Sequence, residues 1–461
     1  MQNLAETKLA EHVAAMQHRP LAQPTRDRLA QALLDWFTAG WSASPMPQAA
    51  TMRTLARDCM PGEEGPAAVF GGRGMTPLGA AFANAGIAHL REIDDAHRAA
   101  MLHPGVIAIS PVLALAVAQG LSQRRVADAI VAGYEVSLRV GEALGTRHAA
   151  NFHATATAGA VGAAAAAGVA LGLTPVQLHH AMGIGATQAA GLWQLVDDDA
   201  HESKSLHPAF AVRNGIYAAF AARAGLPGAR AFMTGKRGLY ALMAGDGPLQ
   251  ALDGELDAPE RINTATIKAW PCCAQLFTPL DATRALMAAH AFTPEEIVSV
   301  DVTIFPHALK IAGVIWPAKP AETCFSLRYV VATLLLKGSL GIEDMEAPEL
   351  DSPALLALAE KIKVATDDEF QLAFPRKRPA RVTIALRDGR RVSALRELRR
   401  GDPEDPFDWA ALQARMRAFA PAMDDPTAAG IAGWCAGFAD ADGDQAACTV
   451  PPALFGAAAP G

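Results

Sequence analysis

Three short segments place a histidine or a lysine where a helix is predicted to begin. His103 precedes a proline and a long apolar run, His153 precedes an alanine-rich run, and Lys204 lies three residues before His207, with Arg213 further along the same predicted helix. The first turn of a helix has unpaired backbone N–H groups and a partial positive charge, so it attracts anions. If the three helix starts converge, they would form a pocket for a small molecule that carries several carboxylates.

An acidic cluster lies upstream of the first of these starts. Glu92, Asp94 and Asp95 fall within four residues of each other. Carboxylates in such a position could act as acid or base, or could orient a neighbouring histidine. A metal site built from these acids with His97 and His103 matches no established ligand spacing, so we predict no metal.

Each of these residues also has a structural interpretation. A single histidine before a helix often caps or packs, and the acidic triplet could be a solvated loop. Lys204 follows the acidic stretch 197–202 and could form a surface ion pair of little energetic weight. His179 and His180 are neighbours inside a predicted helix and are interpreted as structural. Three glycines are interpreted as points of close helix packing: Gly183, Gly185 and Gly191.

The composition excludes several classes of protein. The 461 residues include 40 basic and 47 acidic ones, for a net charge of −7, and 51% are hydrophobic. A disordered chain would be less hydrophobic, and a nucleic-acid-binding protein would have a basic excess. The six cysteines include no C-x-x-C pair, so no disulfide framework, zinc site or iron–sulfur cluster is indicated. The first residues lack the features of a signal peptide, and we expect a cytoplasmic protein.

Residues 148–196 contain no Asp, Glu, Lys or Arg. This run is long enough to suggest a membrane span, but it consists mainly of Ala, Gly and Thr and is interrupted by Pro, Gln and His. It therefore predicts buried helices of a folded domain, with no membrane partner. Inside the run, Thr174, a proline and Gln177 predict a helix start with a capping box.

The periodicity predicts a mainly α fold of two domains. Residues 1–262 and 400–440 are predicted to form a large all-helical domain, and 263–399 a smaller α+β lid domain inserted before the C-terminal helical return. Strands are predicted over 298–305 and 380–386, the second continuing into a hairpin through Asp388-Gly389. Helices are predicted over 326–336, 352–363 and 409–419. Residues 441–461 are predicted to be a flexible tail.

Taken together, the sequence resembles the MmgE/PrpD family, which includes 2-methylcitrate dehydratases, cis-aconitate decarboxylases and an iminodisuccinate epimerase. The resemblance covers about residues 25–420 and is carried by the order and spacing of five segments. These are HLREIDDAHRAAMLHPG (89–105), NFHATATAGAVGAAAAAGVALGL (151–173), SKSLHPAFAVRNG (203–215), WPCC (270–273) and CFSLRYVVATLLLKG (324–338). It implies a helical domain with an α+β lid, a homodimer, an active site between the domains and no metal or organic cofactor.

The resemblance also implies roles for particular residues. His103, His153 and Lys204 match the active-site histidines and lysine of the family, and Asp94 and Asp95 match its acidic pair. We therefore predict these five residues to be catalytic.

Four further residues are predicted to bind the substrate: Glu92, His207, Arg213 and Phe277. Two of them depart from the family pattern. Glu92 stands where Asp is usual, and Phe277 stands where a histidine is usual; a phenyl ring cannot transfer a proton. Ala96 also stands where Thr or Ser is common.

The predicted function is that of a lyase on a small di- or tricarboxylic acid. Breaking a C–H bond next to a carboxylate requires cations or N–H donors near the carboxylate and a base near the carbon. We favour elimination of water, as in 2-methylcitrate dehydratase, over the decarboxylase or epimerase alternatives. A homologue that binds carboxylates without catalysis is the alternative of another class, and Phe277 and Glu92 are the features that favour it.

Overall fold

The computed structural model describes residues 4–60, 64–440 and 446–456. It is 59% helical with one small mixed sheet of four strands, which confirms the predicted fold class. The chain divides into two compact units, Met1–Ala265 with Trp409–Gly461, and Thr266–Asp408. The sequence had placed these boundaries at 262/263 and 399/400.

The larger unit is helical. Its α-helices are α1 (Ala5–Met16), α2 (Gln23–Ala43), α3 (Pro47–Cys59), α4 (Pro77–His89), α5 (Pro104–Gln119), α6 (Gln123–Asn151), α7 (Ala154–Ala170), α8 (Pro175–Thr187), α9 (Gln194–Asp197), α10 (Leu206–Arg223) and α11 (Leu239–Leu242), with α18 (Trp409–Phe419) and α19 (Asp425–Asp440) after the smaller unit. Short 3₁₀ helices span His201–Ser205, Leu249–Ala251, Arg261–Thr264 and Pro452–Phe455. Helix α6 is kinked at Gly145, which has a φ of 78°.

The smaller unit combines helices with the sheet. Its elements are α12 (Phe277–Ala289), β1 (Ile297–Ile304), α13 (Pro306–Ile311), α14 (Leu327–Lys337), α15 (Ile342–Glu346), α16 (Pro353–Glu360), β2 (Ile362–Thr366), α17 (Asp368–Ala373), β3 (Ala380–Leu386) and β4 (Arg391–Arg396). Its 3₁₀ helices span Ala274–Leu276, Pro294–Glu296 and Pro320–Phe325. The strand order is β2-β1-β3-β4, with β1 parallel to β2 and the other pairs antiparallel.

The predicted strands and hairpin of the smaller unit are confirmed, with one correction. Val302 of β1 pairs with Val382 of β3, and β3 continues into β4 through the Asp388-Gly389 turn. The helix predicted over 352–363 ends at Glu360, and Ile362 begins β2. The short strand was missed because only its first residue is buried, so it has little of the alternation that marks a strand.

Helix α7 forms the buried centre of the larger unit. Every residue from Ala154 to Ala170 is buried, as the charge-free run predicted. The predicted capping box at Thr174 is confirmed by hydrogen bonds between Thr174 and Gln177 in both directions. Among the described residues, no helix has the length and apolarity that crossing a bilayer requires.

The prediction of a flexible tail is wrong for residues 446–456. Phe455 is buried, with its ring centroid 4.9 Å from that of Phe70 and 5.2 Å from that of Phe37. The carbonyl oxygen of Leu454 accepts a hydrogen bond from the Trp41 indole at 2.7 Å. Two apolar side chains thus anchor a segment whose composition suggested a loose end. The rest of the predicted tail, 441–445 and 457–461, lies outside the described residues.

Close packing of α7 against α10 generates a stability prediction. A Cβ atom added at Gly215 would lie 2.5 Å from the Cβ of Ala163 and 2.7 Å from the backbone nitrogen of Ala164. We expect Gly215→Ala to lower the free energy of unfolding by about 1–3 kcal/mol, since the helices would have to separate. Urea denaturation followed by circular dichroism measures this change.

Gly433 provides the matched control, because it lies within α19 and an added Cβ would meet nothing within 4 Å. Gly433→Ala should be neutral or stabilise by up to about 1 kcal/mol. Equal effects of the two substitutions would contradict the packing argument.

Candidate active site

Residues 90–103 form an irregular loop between α4 and α5. Glu92 and Met101 have left-handed φ angles of 52° and 54°. Such conformations cost of order 1–3 kcal/mol each in residues other than glycine, so surrounding contacts must hold them. An isolated bridge pairs His97 with Leu102 and closes the second half of the loop.

The backbone on both sides of Asp94 is clamped by a buried ion pair. Arg415 of α18 donates to the carbonyl oxygen of Ile93 at 2.7 Å. The backbone N–H of Asp95 donates to Oδ2 of Asp35, from α2, at 2.8 Å. The two clamping residues pair with each other, with 2.8 Å between Arg415 Nη1 and Asp35 Oδ1. Helices α2 and α18 therefore fix the position of Asp94.

Asp95 was predicted to be catalytic; the structure shows it bonded within the protein, and its catalytic role stays a prediction. Its carboxylate accepts hydrogen bonds from the Tyr134 hydroxyl at 2.6 Å and from the Gly105 N–H at 2.8 Å. Burial, reinforced by the nearby Asp35 carboxylate, raises the pKa of Asp95 to about 7 against these hydrogen bonds. Burial likewise raises the pKa of Asp35 to about 6, opposed by the charge of Arg415. Asp95 thus anchors the loop to Gly105 of α5 and to Tyr134 of α6.

Asp94 lies between two imidazoles. Its Oδ2 atom is 2.9 Å from Nδ1 of His89, the last residue of α4, and 3.2 Å from Nδ1 of His103, which precedes α5. Burial alone would raise the pKa of Asp94, but the charges and hydrogen bonds of His103 and His89 hold it well below its usual range. Asp94 therefore remains an ionised carboxylate inside the protein, and it lies where it could orient His103; its catalytic role stays a prediction.

The three predicted helix starts come together around His153. The His103 N–H donates to Oγ1 of Thr155 in the first turn of α7, at 3.1 Å. His153 precedes α7, donates its backbone N–H to the Gly191 carbonyl at 2.8 Å, and has its Nδ1 atom 3.0 Å from Nδ1 of His207 in α10. Sequence spacing could not show this convergence.

The environment of His153 and His207 disfavours positive charge. Burial lowers the pKa of His153 well below its ordinary value, and Lys204, His89 and His103 lower it further. Burial, with the charges of His89 and Lys204, lowers the pKa of His207 to about 4. Both imidazoles are therefore neutral at physiological pH, and one donates a hydrogen bond to the other.

Lys204 lies in the 3₁₀ helix that leads into α10. Its Nζ atom is 2.5 Å from Oε2 of Glu92 and 5.7 Å from the centroid of the Trp193 ring. The Trp193 ring in turn lies 4.7 Å from the ring of His153. Lys204 therefore belongs to the histidine cluster, and the Glu92 side chain is its counter-ion in the structure.

Two further predicted substrate-binding residues have other contacts in the structure. The Arg213 guanidinium stacks on Phe210 at 4.7 Å and donates to the side chain of Asn214, so the contacts found for it connect it to its own helix. Phe277 is fully buried in the hydrophobic core of the smaller unit. Core packing accounts for that phenyl ring, and its role in substrate binding stays a prediction.

Sequence reasoning missed His89 and Trp193. His89 ends a helix that is otherwise small and apolar, and its ring lies 4.7 Å from the His103 ring and 5.5 Å from the His153 ring. A single histidine in an apolar helix is a weak signal, but its position three residues before Glu92 could have drawn attention to it. The predicted structural roles of His179 and His180 are confirmed by their hydrogen bonds to backbone atoms of residues 228–230.

His89, Asp94 and His103 could also hold a metal ion, since one donor atom from each lies within 4.8 Å of the others. The distances to Asp94 are equally those of hydrogen bonds from imidazole to carboxylate. The predicted absence of a metal therefore stays a prediction, and a chelator tests it below.

The larger helical unit, the small α+β unit and the cluster of histidines and lysine at helix starts define the class of protein. The chain belongs to the MmgE/PrpD family: the family's N-terminal domain matches residues 7–251 and its C-terminal domain matches residues 270–430. A cis-aconitate decarboxylase-like protein of Aspergillus oryzae is 25% identical over 453 residues, which cover 91% of each chain.

Two further relatives are cis-aconitate decarboxylases. That of Aspergillus terreus is 32% identical over 201 residues, 41% of this chain and 40% of its own. That of Mus musculus is 25% identical over 362 residues, 76% of this chain and 73% of its own.

The clamp on the 90–103 loop generates a second prediction. We expect Arg415→Met to lower the free energy of unfolding by about 3–5 kcal/mol, because it leaves the buried Asp35 carboxylate without its cation. The folded state binds the Asp35 proton more tightly than the unfolded chain does. Proton binding at Asp35 therefore stabilises the fold at low pH, and this contribution is lost as pH rises through about 6. Without Arg415 the pKa of Asp35 would rise further, so more stability is lost at high pH. Urea denaturation should therefore show a larger decrease in the free energy of unfolding of Arg415→Met, relative to wild type, at about pH 8 than at about pH 5.

Arg417 is the matched control on the same helix, since it is half-exposed and pairs with the exposed Asp425. Arg417→Met should change stability by less than about 1 kcal/mol at either pH. A deficit in Arg415→Met that does not depend on pH would show that the ion pair with Asp35 is not what the arginine contributes.

Proposed function

We propose that the protein is a lyase that acts on a small tricarboxylic acid at the histidine cluster of its larger unit, with decarboxylation of a cis-aconitate-like acid as the reaction. One observation carries the proposal. His103 and His153 lie close together, but an ionised carboxylate adjoins the first while burial and cations surround the second. Such a pair of environments divides the two imidazoles into a proton donor and a proton acceptor.

The substrate carboxylates would bind where the helix starts meet. His153 makes no side-chain capping hydrogen bond to α7, so the first N–H groups of α7 can face an anion, whereas α10 continues directly from the 3₁₀ helix that contains Lys204. Lys204 adds a full positive charge beside them. These groups stabilise the negative charge that moves onto a carboxylate when a neighbouring carbon becomes carbanion-like.

His103 is assigned as the proton donor. The ionised Asp94 next to it stabilises positive charge on its imidazole. His153 is assigned as the acceptor, because its neutral form is favoured and its Nδ1 is oriented by His207. The two rings lie 6.4 Å apart between centroids, which places both within reach of one small molecule.

In decarboxylation His103 supplies the proton, and His153 must stay neutral, because an imidazolium beside the departing carboxylate would hold its negative charge in place. The C–C bond to one carboxylate breaks and releases CO₂, and the electron pair passes into the double bond conjugated with a remaining carboxylate. A proton from His103 then completes the product at carbon. The relatives named cis-aconitate decarboxylases favour this reaction over the others.

Elimination of water, as in a 2-methylcitrate dehydratase, is the second candidate. His153 would take the proton from carbon, and His103 would protonate the departing hydroxyl. This reaction is retained because the same two histidines can take up and supply the protons that it requires, without any further group.

A substrate panel with a Lys204 variant tests the proposal. Purified protein is mixed with cis-aconitate, 2-methylcitrate or citrate, and the products are followed by NMR and by release of CO₂. We expect CO₂ from cis-aconitate and a loss of about 10²-fold or more in kcat/KM for Lys204→Met. Lys8→Met is the control, since Lys8, in α1, forms an ion pair with Asp253. The activity of this variant should match that of the wild type.

The other results of the panel are equally informative. An unsaturated acid formed from 2-methylcitrate, without CO₂ from cis-aconitate, would favour the dehydratase. Tight binding of these acids with no turnover would favour a carboxylate-binding homologue without catalysis. A loss of activity with a chelator would contradict the expectation that no metal is used.

The neutral state of His153 generates a prediction for the pH profile. An acceptor with a lowered pKa stays competent until the pH falls below its ordinary value of 6.5. We therefore expect the acidic limb of kcat/KM to lie below pH 6.5. An acidic limb centred at or above that value, measured in buffers of constant ionic strength, would rule out His153 as the acceptor in this environment.

A further inference from the structure

His89 is buried at the centre of the histidine cluster, and the proposed reaction assigns it no proton. Its side chain has no exposed surface. One edge of the ring contacts Asp94, one face stacks on the His153 ring with an angle of 24° between the planes, and the His103 ring meets it edge-on at 72°. His89 therefore contacts Asp94 and both imidazoles of the proposed pair.

The Asp94 contact is specific for one nitrogen of His89. Nδ1 lies 2.9 Å from the same Oδ2 atom that lies 3.2 Å from His103. Because the carboxylate is ionised, Nδ1 of His89 is the donor, and the same Asp94 oxygen lies at ion-pair distance from Nδ1 of His103. A carboxylate held by His89 has its position fixed before it orients His103.

The opposite nitrogen of His89 argues against a role in packing alone. Nε2 is buried, and within the described part of the chain it has no hydrogen-bond partner. A buried polar atom without a partner costs of order 1–3 kcal/mol, which an apolar side chain of similar shape would avoid. The imidazole offsets this cost through an interaction that a phenyl or leucine side chain cannot make, namely the hydrogen bond from Nδ1 to Asp94.

We propose that His89 is a positioning residue, which holds the Asp94 carboxylate against His103 and sets the distance and the electrostatic contrast between His103 and His153. The inference rests on the proposed function, because it assigns His89 to the geometry of that donor and acceptor. His89 acts through Asp94 by a hydrogen bond and on His153 by ring contact and charge.

Other ionisable groups around the pair must be counted with it. Asp94, His103 and Glu92 lie in the loop that follows α4. Lys204 and His207 lie at the start of α10. His89 is the one among them that touches Asp94 on one side and the His153 ring on the other, so its replacement should affect both.

Two substitutions separate the hydrogen bond from the charge. His89→Asn keeps an N–H donor near the position of Nδ1, whereas His89→Phe keeps a ring without a donor. We expect His89→Phe to lower kcat about tenfold or more with KM changed less than about threefold, since it releases Asp94. We expect His89→Asn to keep kcat within about threefold of the wild type.

The pH dependence of kcat/KM provides a further test, because a purely structural role of His89 would not shift its acidic limb. His89 is among the groups that lower the pKa values of His153 and His207. Both substitutions remove this influence, so the acidic limb should move toward pH 6.5 by about 0.5 unit or more. His179→Phe is the control, because His179 is buried in α8 and bonded to Thr7 and Arg230; it should leave the limb unchanged.

Binding of tricarballylate, a saturated tricarboxylate, separates this inference from the proposed function. Its affinity is measured by calorimetry across the same pH range for the wild type and both variants. If the wild type binds tricarballylate and turns over no substrate, a shifted pH dependence of binding in the His89 variants still supports the positioning role. Equal loss of kcat in His89→Asn and His89→Phe, or an unmoved acidic limb in both, would overturn it while the lyase activity stands.

Discussion

The ionised carboxylate of Asp94 is the group on which the rest of the site depends. Burial disfavours its charge, and the imidazoles of His103 and His89 are the main groups that reverse that preference. Both contacts are to one oxygen, so an error of about 1 Å in its position would break one of them. The contacts to the residues before and after Asp94 provide this precise position. Arg415 donates a hydrogen bond to the carbonyl oxygen of Ile93, and Asp35 accepts one from the N–H of Asp95. A loop with two left-handed residues keeps its shape because helices α2 and α18 hold it there.

Three helices beside this loop, α4, α5 and α7, contain no Asp, Glu, Lys or Arg, and that is part of the chemistry. Helix α7 is buried along its whole length and is built mostly of Ala and Gly, so its neighbours can approach closely. Little water or counter-charge is then available at its start. Burial therefore lowers the pKa of His153, and nearby Lys204 adds to the effect. The charge-free run 148–196 thus encodes both the helices of the scaffold and the electrostatic environment of His153, which lies within it.

Sequence reasoning predicted the fold class, the hairpin and the helix starts because each depends on local periodicity and on residues with strong preferences, such as Thr174 with its capping box. It failed where long-range packing decides. Phe455 anchors a segment whose composition suggested disorder, and β2 was missed because a strand with one buried residue has almost no pattern. In the site, His103, His153 and Lys204 could be predicted from their places before helices. His89 could not, since its importance comes from the rings it meets across the fold.

The same limit explains why Asp94 and Asp95 were given one role. They are adjacent and chemically identical, yet the pKa of one is well below the usual range and that of the other is raised to about 7. Asp94 faces two imidazoles, whereas Asp95 faces Asp35, a hydroxyl and a backbone N–H. Arg415 provides one positive charge beside Asp35 and Asp95, so protonation of Asp95 below its raised pKa of about 7 relieves the core of a second unpaired negative charge.

The pairing of Lys204 with Glu92 places a further constraint on any substrate. Lys204 is largely covered, but the Glu92 side chain is 41% exposed, so its carboxylate keeps much of its hydration within the pair. Separating the two therefore costs less than breaking a buried ion pair. An incoming carboxylate that also gains the N–H groups of the helix starts can displace Glu92 or share Lys204 with it. Since Glu reaches about one methylene further than the Asp usual at this position, the pair can form while the backbone of Glu92 stays at the rim of the cluster. Under the proposed function, Glu92 thus holds the lysine in place before substrate arrives, and a substrate carboxylate gains its charge by exchange with Glu92.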